Sequence, residues 1–383
     1  MRMSHRQKDR QTRRVLALDG GGIHGLFTLE VLLELETRLR SEVGEGRADY
    51  RLCDTFDLIA GTSTGGIIAA MLAFGFPVSK VQELYLASAS QVFVKAHWYQ
   101  RYKYKFSSDP ISATLRQMFS EDDGTPALLG SDKLRTLLLV TMKNGTTGSA
   151  WPICNHPYSR YNDRATRGEK SNLNIPLWQI VRASTAAPTF FPAQEIVVMG
   201  QRQEFIDGGV TPYNNPALIA ANFALLPEYG VRFPAGEERL LVVSVGTGRR
   251  EMRYGSGEIH DMTVLSHALS VIQTLMDEVS VEQDMLCRVV GRCRFGAPLD
   301  RELGDLTAVD PSQPRRFSYV RYNHTYSAED VEAACRLYRT TFSLDAMPLI
   351  PAIRAAGSKY AREHVDLTHF AGFLVGLNPG TTD

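Results

Sequence analysis

Ser63 stands in Gly61-Thr62-Ser63-Thr64-Gly65, a G-x-S-x-G pattern that directly follows the apolar run Phe56-Asp57-Leu58-Ile59-Ala60 and precedes the helix-compatible stretch Gly66 to Ala73. That order predicts a strand, a sharp turn and a helix, with the serine hydroxyl presented at the turn as a nucleophile. The competing reading is helix capping, because serine in a glycine-rich turn is a common N-cap. A second cluster, Asp19-Gly20-Gly21-Gly22-Ile23-His24-Gly25, follows the buried-type strand Arg14 to Leu18 and opens the helical stretch Leu26 to Leu39. Consecutive glycines present unhindered backbone N–H groups at a helix start, which is what a developing oxyanion needs. A third, Glu204-Phe205-Ile206-Asp207-Gly208-Gly209, delivers a carboxylate at the end of a short strand. Asp207 is a candidate general base for Ser63; alternatively it braces its own loop as an Asx turn.

In this order the three motifs resemble the patatin-like phospholipase family. Asp19 to Gly25 is similar to its oxyanion loop, D-G-G-G-x-R/K-G, Gly61 to Gly65 to its elbow, and Asp207 to Gly209 to its D-G-G/A. Ala183-Ser184-Thr185-Ala186-Ala187-Pro188, Asn214-Asn215-Pro216 and Ser244-Val245-Gly246-Thr247-Gly248 extend the likeness over residues 14–250. The resemblance implies a three-layer α/β/α fold with a mainly parallel sheet, and a Ser63–Asp207 dyad. It also implies an oxyanion hole drawn from Gly20, Gly21, Gly22 and His24, and no cofactor or metal. The implied reaction is phospholipase A-type cleavage of acyl esters of membrane glycerophospholipids, with peripheral contact at the inner membrane. An alternative rests on the same likeness: some bacterial members are antiviral effectors switched on by cyclic nucleotides, so a cyclic nucleotide is a candidate activator. Arg249, Arg250, Arg253 and Arg321 are compatible with such a ligand. His24 is a departure, since the family has Arg or Lys there, and it replaces a fixed cation with a titratable one. Asp19 is expected to brace the glycine loop through backbone N–H groups.

Two rivals follow from the residues. Gly20, Gly22 and Gly25 satisfy G-x-G-x-x-G, but the polar turn Ser41 to Arg47 stands where a dinucleotide fold needs a second strand ending in an acid. An α/β-hydrolase with a Ser-Asp-His triad fits the chain order of Ser63 and Asp207, with His260, His267, His324, His364 or His369 as its histidine. None of these lies in an evident glycine-bounded loop after a core strand.

The elements that must position these groups alternate between strand and helix. Leu134 to Val140 reads as a buried strand and Val78 to Val94 as a helix, a pattern that predicts a mainly parallel sheet covered on both faces. Residues 144–174 read as a long polar loop, and residues 97–106, which interleave aromatics with cations, as an edge strand or a lipid-interface segment. Residues 251–383 read as a helical region packed on the catalytic domain 14–250, with helices at Met262 to Val290, Ala328 to Arg339 and Pro351 to Val365, and a strand-like alternation at Phe317 to Asn323.

Composition sets outer limits. The 383 residues carry 42 basic and 42 acidic side chains, so no bulk field draws the protein to nucleic acid. Residues 1–13 read as a basic disordered tail without the apolar core of a secretory signal. Five cysteines, Cys53, Cys154, Cys287, Cys293 and Cys335, lack metal-ligand spacing and read as reduced thiols in a cytoplasmic protein.

Overall fold

Leu16 and Leu18 project to one face of the first strand and Val15 and Ala17 to the other, and all four are fully buried. A strand that is apolar on both faces must be covered on both. The computed structural model describes residues 11–42, 49–92, 104–251, 264–308 and 312–375, without side chains for 89–92 and 264–273. Its strands are β1 (Arg13–Leu18), β2 (Leu58–Thr62), β3 (Leu137–Asn144), β4 (Ala150–Cys154), β5 (Gln194–Val198), β6 (Gln201–Asp207), β7 (Leu240–Val245), β8 (Arg249–Arg250), β9 (Arg292–Phe295), β10 (Ser318–Tyr322) and β11 (Thr325–Tyr326). Nine of them form one sheet in the order β5-β6-β3-β2-β1-β7-β10-β9, with β4 on β3, while β8 and β11 pair separately. The run from β3 through β9 is parallel, and β4, β5 and β6 are antiparallel.

Helices α1 (Gly25–Glu42), α2 (Thr64–Ala73), α3 (Val78–Val92), α4 (Asp109–Met118) and α5 (Leu177–Ser184) bury side chains in the core on one face; α6 (Ala217–Leu225) covers the other. Of the later helices α7 (Val264–Val290), α8 (Ala328–Leu337) and α9 (Ile350–His364), α7 adds Cys287 to the α6 side and α9 adds Ile353 and Tyr360 to the α1 side. The α/β reading with a flanked, mainly parallel sheet therefore holds.

Four details differ from the sequence reading. The region after residue 250 is not only a helical cover, because β10 lies beside β7 and β9 beside β10 in the central sheet. The polar members of its alternation are buried too: Ser318 donates to the Glu237 carbonyl at 2.6 Å and Arg321 is ion-paired, so both faces are internal. The stretch read as a long loop contains β4, a hairpin partner of β3 reached through a turn in which Asn144 accepts from the N–H groups of Thr146 and Thr147. Arg13, assigned to the tail, already belongs to β1 and pairs with Asp57 at 3.0 Å. The rest of that tail up to residue 10, residues 97–103 of the aromatic and basic stretch, Arg253, His260 and the side chain of His267 lie outside the described residues.

Candidate active site

Strand register brings the elbow and the carboxylate together. Thr141 of β3 pairs with both Thr62 and Pro152, and Met142 pairs with both Trp151 and Asp207. Because β4 occupies one edge of β3 at both positions, β2 and β6 must share the other edge, end to end. The chain leaves β2 at Ser63 where β6 arrives with Asp207, and the Ser63 hydroxyl donates to Asp207 Oδ2 at 2.7 Å.

Ser63 has φ 53° and ψ −122°, a left-handed conformation that costs a non-glycine residue about 1–3 kcal/mol. The turn is held by flanking contacts. The Ser63 N–H donates to Ser184 Oγ at 2.8 Å, and Ser184 donates to the Thr141 carbonyl at 2.6 Å. Gly61 and Gly65 pack so closely that a Cβ on Gly61 would lie 2.1 Å from the Gly65 carbonyl oxygen.

Asp207 is 3% exposed. Burial pushes its carboxyl up to about 6, opposed by hydrogen bonds from the Gly209 N–H at 2.7 Å and the Ser63 hydroxyl and by the charge of Arg182. The Gly209 bond is the Asx turn anticipated for this residue, so Asp207 braces its loop with Oδ1 and meets Ser63 with Oδ2. Arg182, fully buried with Nη2 on the Pro192 carbonyl at 3.0 Å, was not singled out in the sequence; inside a helix nothing marks it apart from a surface cation.

The glycine loop stands opposite. The Gly20 N–H donates to the Asn214 carbonyl at 3.0 Å and the Ile23 N–H to the Leu344 carbonyl at 2.8 Å. Gly20 is therefore not an available oxyanion donor, and among the described residues the N–H groups of Gly21 and Gly22 have no hydrogen-bond partner. Gly22 has φ +55° and its carbonyl accepts from Tyr85 Oη at 2.6 Å, a contact no sequence signal revealed. Thr247 Oγ1 reaches the Gly20 carbonyl at 3.2 Å, so the Asn214 and Ser244–Gly248 stretches both serve the loop.

Two expectations are corrected here. Asp19 meets a guanidinium and not backbone amides: Arg321 Nη1 and Nη2 lie 2.9 and 2.6 Å from its two oxygens. Burial raises the Asp19 carboxyl above its usual value although Arg321 pulls it back, and the Arg321 charge is raised by Asp19 against its own burial. His24 does not supply a cation. Its ring is 4% exposed and lies 4.3 Å from that of Phe342, and burial lowers its pKa to about 4 against the opposing contact with the Ser343 carbonyl. Burial keeps this imidazole neutral at neutral pH.

Ser63, Asp207, Gly21 and Gly22 open onto a cleft walled by Ile67, Met71, Ile111, Leu115, Met118 and Phe190. Among the described residues no histidine lines it. His324 packs among Phe27, Tyr326 and Tyr360; His364 lies by Tyr360 and Phe295, and His369 is bonded to Tyr322 Oη at 2.8 Å. These three are held in aromatic clusters away from Asp207, so the triad reading finds no histidine among them. No group of His, Cys, Asp and Glu among the described residues is arranged to hold a metal ion. Chemically, the site offers a hydroxyl bonded to a carboxylate, two amides and an apolar trough.

Residues 16–221 match the family model of the patatin-like phospholipases. The chain belongs to that family. A probable inactive patatin-like protein 9 of Arabidopsis thaliana is 28% identical over 74% of this chain and 73% of its own. A cGAMP-activated phospholipase of Vibrio cholerae is 28% identical, and a cUMP-AMP-activated phospholipase of Escherichia coli 32% identical, each over 61% of this chain and 64% of its own. In this patatin-like chain both Ser63 and Asp207 lie within the matched segment, and part of the setting of the site comes from beyond it: Thr247, Met276, Arg321 and Leu344.

Proposed function

We propose that the protein is a serine acyl hydrolase that releases fatty acid from glycerophospholipids. The observation that carries this is the 2.7 Å hydrogen bond from the Ser63 hydroxyl to Asp207 at the mouth of an apolar cleft. Ser63 Oγ attacks the ester carbonyl carbon while Asp207 takes its proton, and the negative oxygen is received by the Gly21 and Gly22 N–H groups. Asp207 then gives that proton to the departing alkoxide oxygen, which frees the lysophospholipid and leaves an acyl ester on Ser63. Water, deprotonated by Asp207, attacks the acyl ester, and the proton returns to Ser63 as the fatty acid leaves. A carboxyl with a pKa of about 6 suits both directions, being ionised at neutral pH yet more basic than an ordinary aspartate.

The cleft wall fits an acyl chain. Among the described residues no helix is long and apolar enough to cross a membrane, so the substrate is taken up from a lipid surface by peripheral contact. We place this activity in the cytoplasm, consistent with five cysteines that are all free. A second reading, activation by a cyclic nucleotide, is supported by the two bacterial relatives and by a second, polar cavity behind the glycine loop. Incubating phospholipid vesicles with the wild type and with Ser63→Ala, with and without cGAMP or cUMP-AMP, tests both. Fatty acid released by the wild type alone supports the hydrolase, and release dependent on the nucleotide supports gating.

A further inference from the structure

Tyr85 stands between the two halves of the site. On α3, Val78, Val81 and Tyr85 are three and four residues apart and so share the face that packs into the core, where both valines are fully buried. The helix is fixed to α1 by the Val78 N–H on Glu36 Oε2 at 3.1 Å and by Gln82 Nε2 on Glu30 Oε1 at 2.8 Å. Tyr85 belongs to the wall of the apolar cleft, and its hydroxyl meets two atoms, the Gly22 carbonyl oxygen and Thr64 Oγ1, each at 2.6 Å.

The direction of these bonds follows from the supply of protons. A carbonyl only accepts, so the single phenolic proton goes to Gly22, and the Thr64 hydroxyl must then donate to Tyr85 Oη. Burial pushes the phenol up to about 12 against the opposing bond from Thr64, so that proton stays in place at neutral pH. One chain of hydrogen bonds thus runs from Thr64 through Tyr85 to Gly22, each bond polarising the next. Thr64 follows the nucleophile directly, and Gly22 carries one of the two N–H groups assigned to the oxyanion.

The same chain orients the glycine loop. Among the described residues the other donor to the Gly22 carbonyl is the Gly25 N–H, which belongs to the loop itself. The Gly22–Ile23 peptide is trans, so its N–H points away from its carbonyl, and that N–H donates to the Leu344 carbonyl at 2.8 Å. Tyr85 and Leu344 therefore grip one peptide plane from opposite edges. Gly22, at φ +55°, is a permissive residue that does not hold this orientation alone. Gly25 leaves room for the contact, because a Cβ there would lie 2.7 Å from Thr64 Oγ1 and 3.3 Å from Tyr85 Oη.

We propose that Tyr85 is a positioning residue of the reaction, its hydroxyl setting the Gly22 peptide against the Ser63 elbow so that the Gly22 N–H meets the oxygen that becomes negative. This rests on the acyl-hydrolase reading. Tyr85 gives no proton to substrate, because its one proton is committed to the Gly22 carbonyl. Its effect belongs to the transition state, since the ester oxygen gains its charge only as Ser63 attacks.

Tyr85→Phe removes the oxygen and keeps the ring in the cleft wall, and Thr64→Val removes the other end of the chain. On a soluble ester, Tyr85→Phe is expected to lower kcat about tenfold, the scale of one neutral hydrogen bond, with KM changed by less than about twofold. Thr64→Val/Tyr85→Phe is expected to lose less than the product of the two single losses, because both changes break one chain. Hydrogen exchange of the Ile23 amide reads the loop without turnover, and Tyr85→Phe is expected to speed it about tenfold, since the loop then opens without breaking that bond. An unchanged exchange rate, a loss confined to KM, single losses that multiply, or a wild-type kcat in a variant whose loop has loosened overturns the proposal. If the wild type hydrolyses no ester, the hydrolase reading fails instead, and the exchange rate alone decides whether Tyr85 holds the loop.

Discussion

Arg321 closes on Asp19 with both terminal nitrogens, at 2.9 and 2.6 Å, and so joins the residue before the glycine loop to a strand 302 residues later in the chain. Both side chains are buried, at 3% and 5% exposure. Removing one partner of such a pair leaves the other charged without solvent, at a cost of about 3–5 kcal/mol. Arg321→Met is expected to lose stability on that scale in urea denaturation, and Asp19→Asn/Arg321→Met to lose less than the two single changes added together. Additive losses would mean that the pair acts only as two separate packing residues.

In the proposed mechanism the pH dependence of turnover reports Asp207. Since a general base must be ionised, kcat/KM is expected to fall about tenfold per pH unit below about 6 and to level off above it. Stability has the opposite sign. The folded carboxyl holds its proton to a higher pH than the unfolded one, so stability decreases as pH rises from 3.8 to about 6 and the cost stays above that. That cost is about 3 kcal/mol. Asp207→Asn is expected to be inactive yet more stable than the wild type at pH 7, with the difference disappearing near pH 3. Equal stability at both pH values would show that the carboxyl is not raised.

Gly21 and Gly22 are expected to fail for different reasons. At Gly22 a Cβ would lie 2.3 Å from the Leu344 carbonyl oxygen at φ +55°, so both backbone and conformation forbid it. At Gly21 φ is 168°, open to any residue, and the obstacle is the Thr247 side chain, with Oγ1 at 2.3 Å and Cβ at 2.7 Å. Each alanine variant is expected to lower kcat by about 10²-fold or more, the scale of one lost oxyanion donor. Adding Thr247→Gly is expected to restore part of the Gly21→Ala rate and none of the Gly22→Ala rate. Steady-state kinetics on one soluble ester distinguishes these cases, and a change confined to KM would assign the loop to substrate binding.

His24 titrates in the window opposite to that of a surface histidine. Its folded pKa of about 4 lies below the ordinary 6.5, so protonation favours the unfolded chain and stability is lost as pH falls from 6.5 to 4. His24→Phe is expected to flatten that slope in denaturation curves measured at pH 7 and pH 4. His24→Arg, the residue type of the family motif, places a fixed charge against Phe342 and is expected to lower stability at both pH values. A variant as stable as the wild type would show that this pocket tolerates a cation.

The legible parts of the site were those in which one contiguous stretch carries the geometry. Gly61 to Gly65 announced its turn because the glycines that pack there are neighbours in sequence, and Asp207 announced itself through the glycines that follow it. Contacts between distant segments were not legible. Nothing near Arg321 marks it as the partner of Asp19, and Tyr85 on α3 looks like any half-buried helix residue until its hydroxyl meets the Gly22 carbonyl. β4 was hidden by composition, since its five residues lie within a stretch rich in Asn, Gly, Thr and Ser and only Ile153 and Cys154 are buried. The expected parallel sheet was correct in its middle, where strands are apolar on both faces. It was incomplete at β10, between β7 and β9, where a buried arginine and serine break the apolar pattern.

The most direct test is mass spectrometry of the products formed from phosphatidylglycerol and phosphatidylethanolamine vesicles by the wild type, Ser63→Ala and Asp207→Asn. The account predicts free fatty acid and lysophospholipid in equal amounts from the wild type at early times, and neither from the two variants while circular dichroism shows them folded. Undiminished fatty-acid release by Ser63→Ala, or release of a phosphorylated headgroup in place of fatty acid, would contradict it.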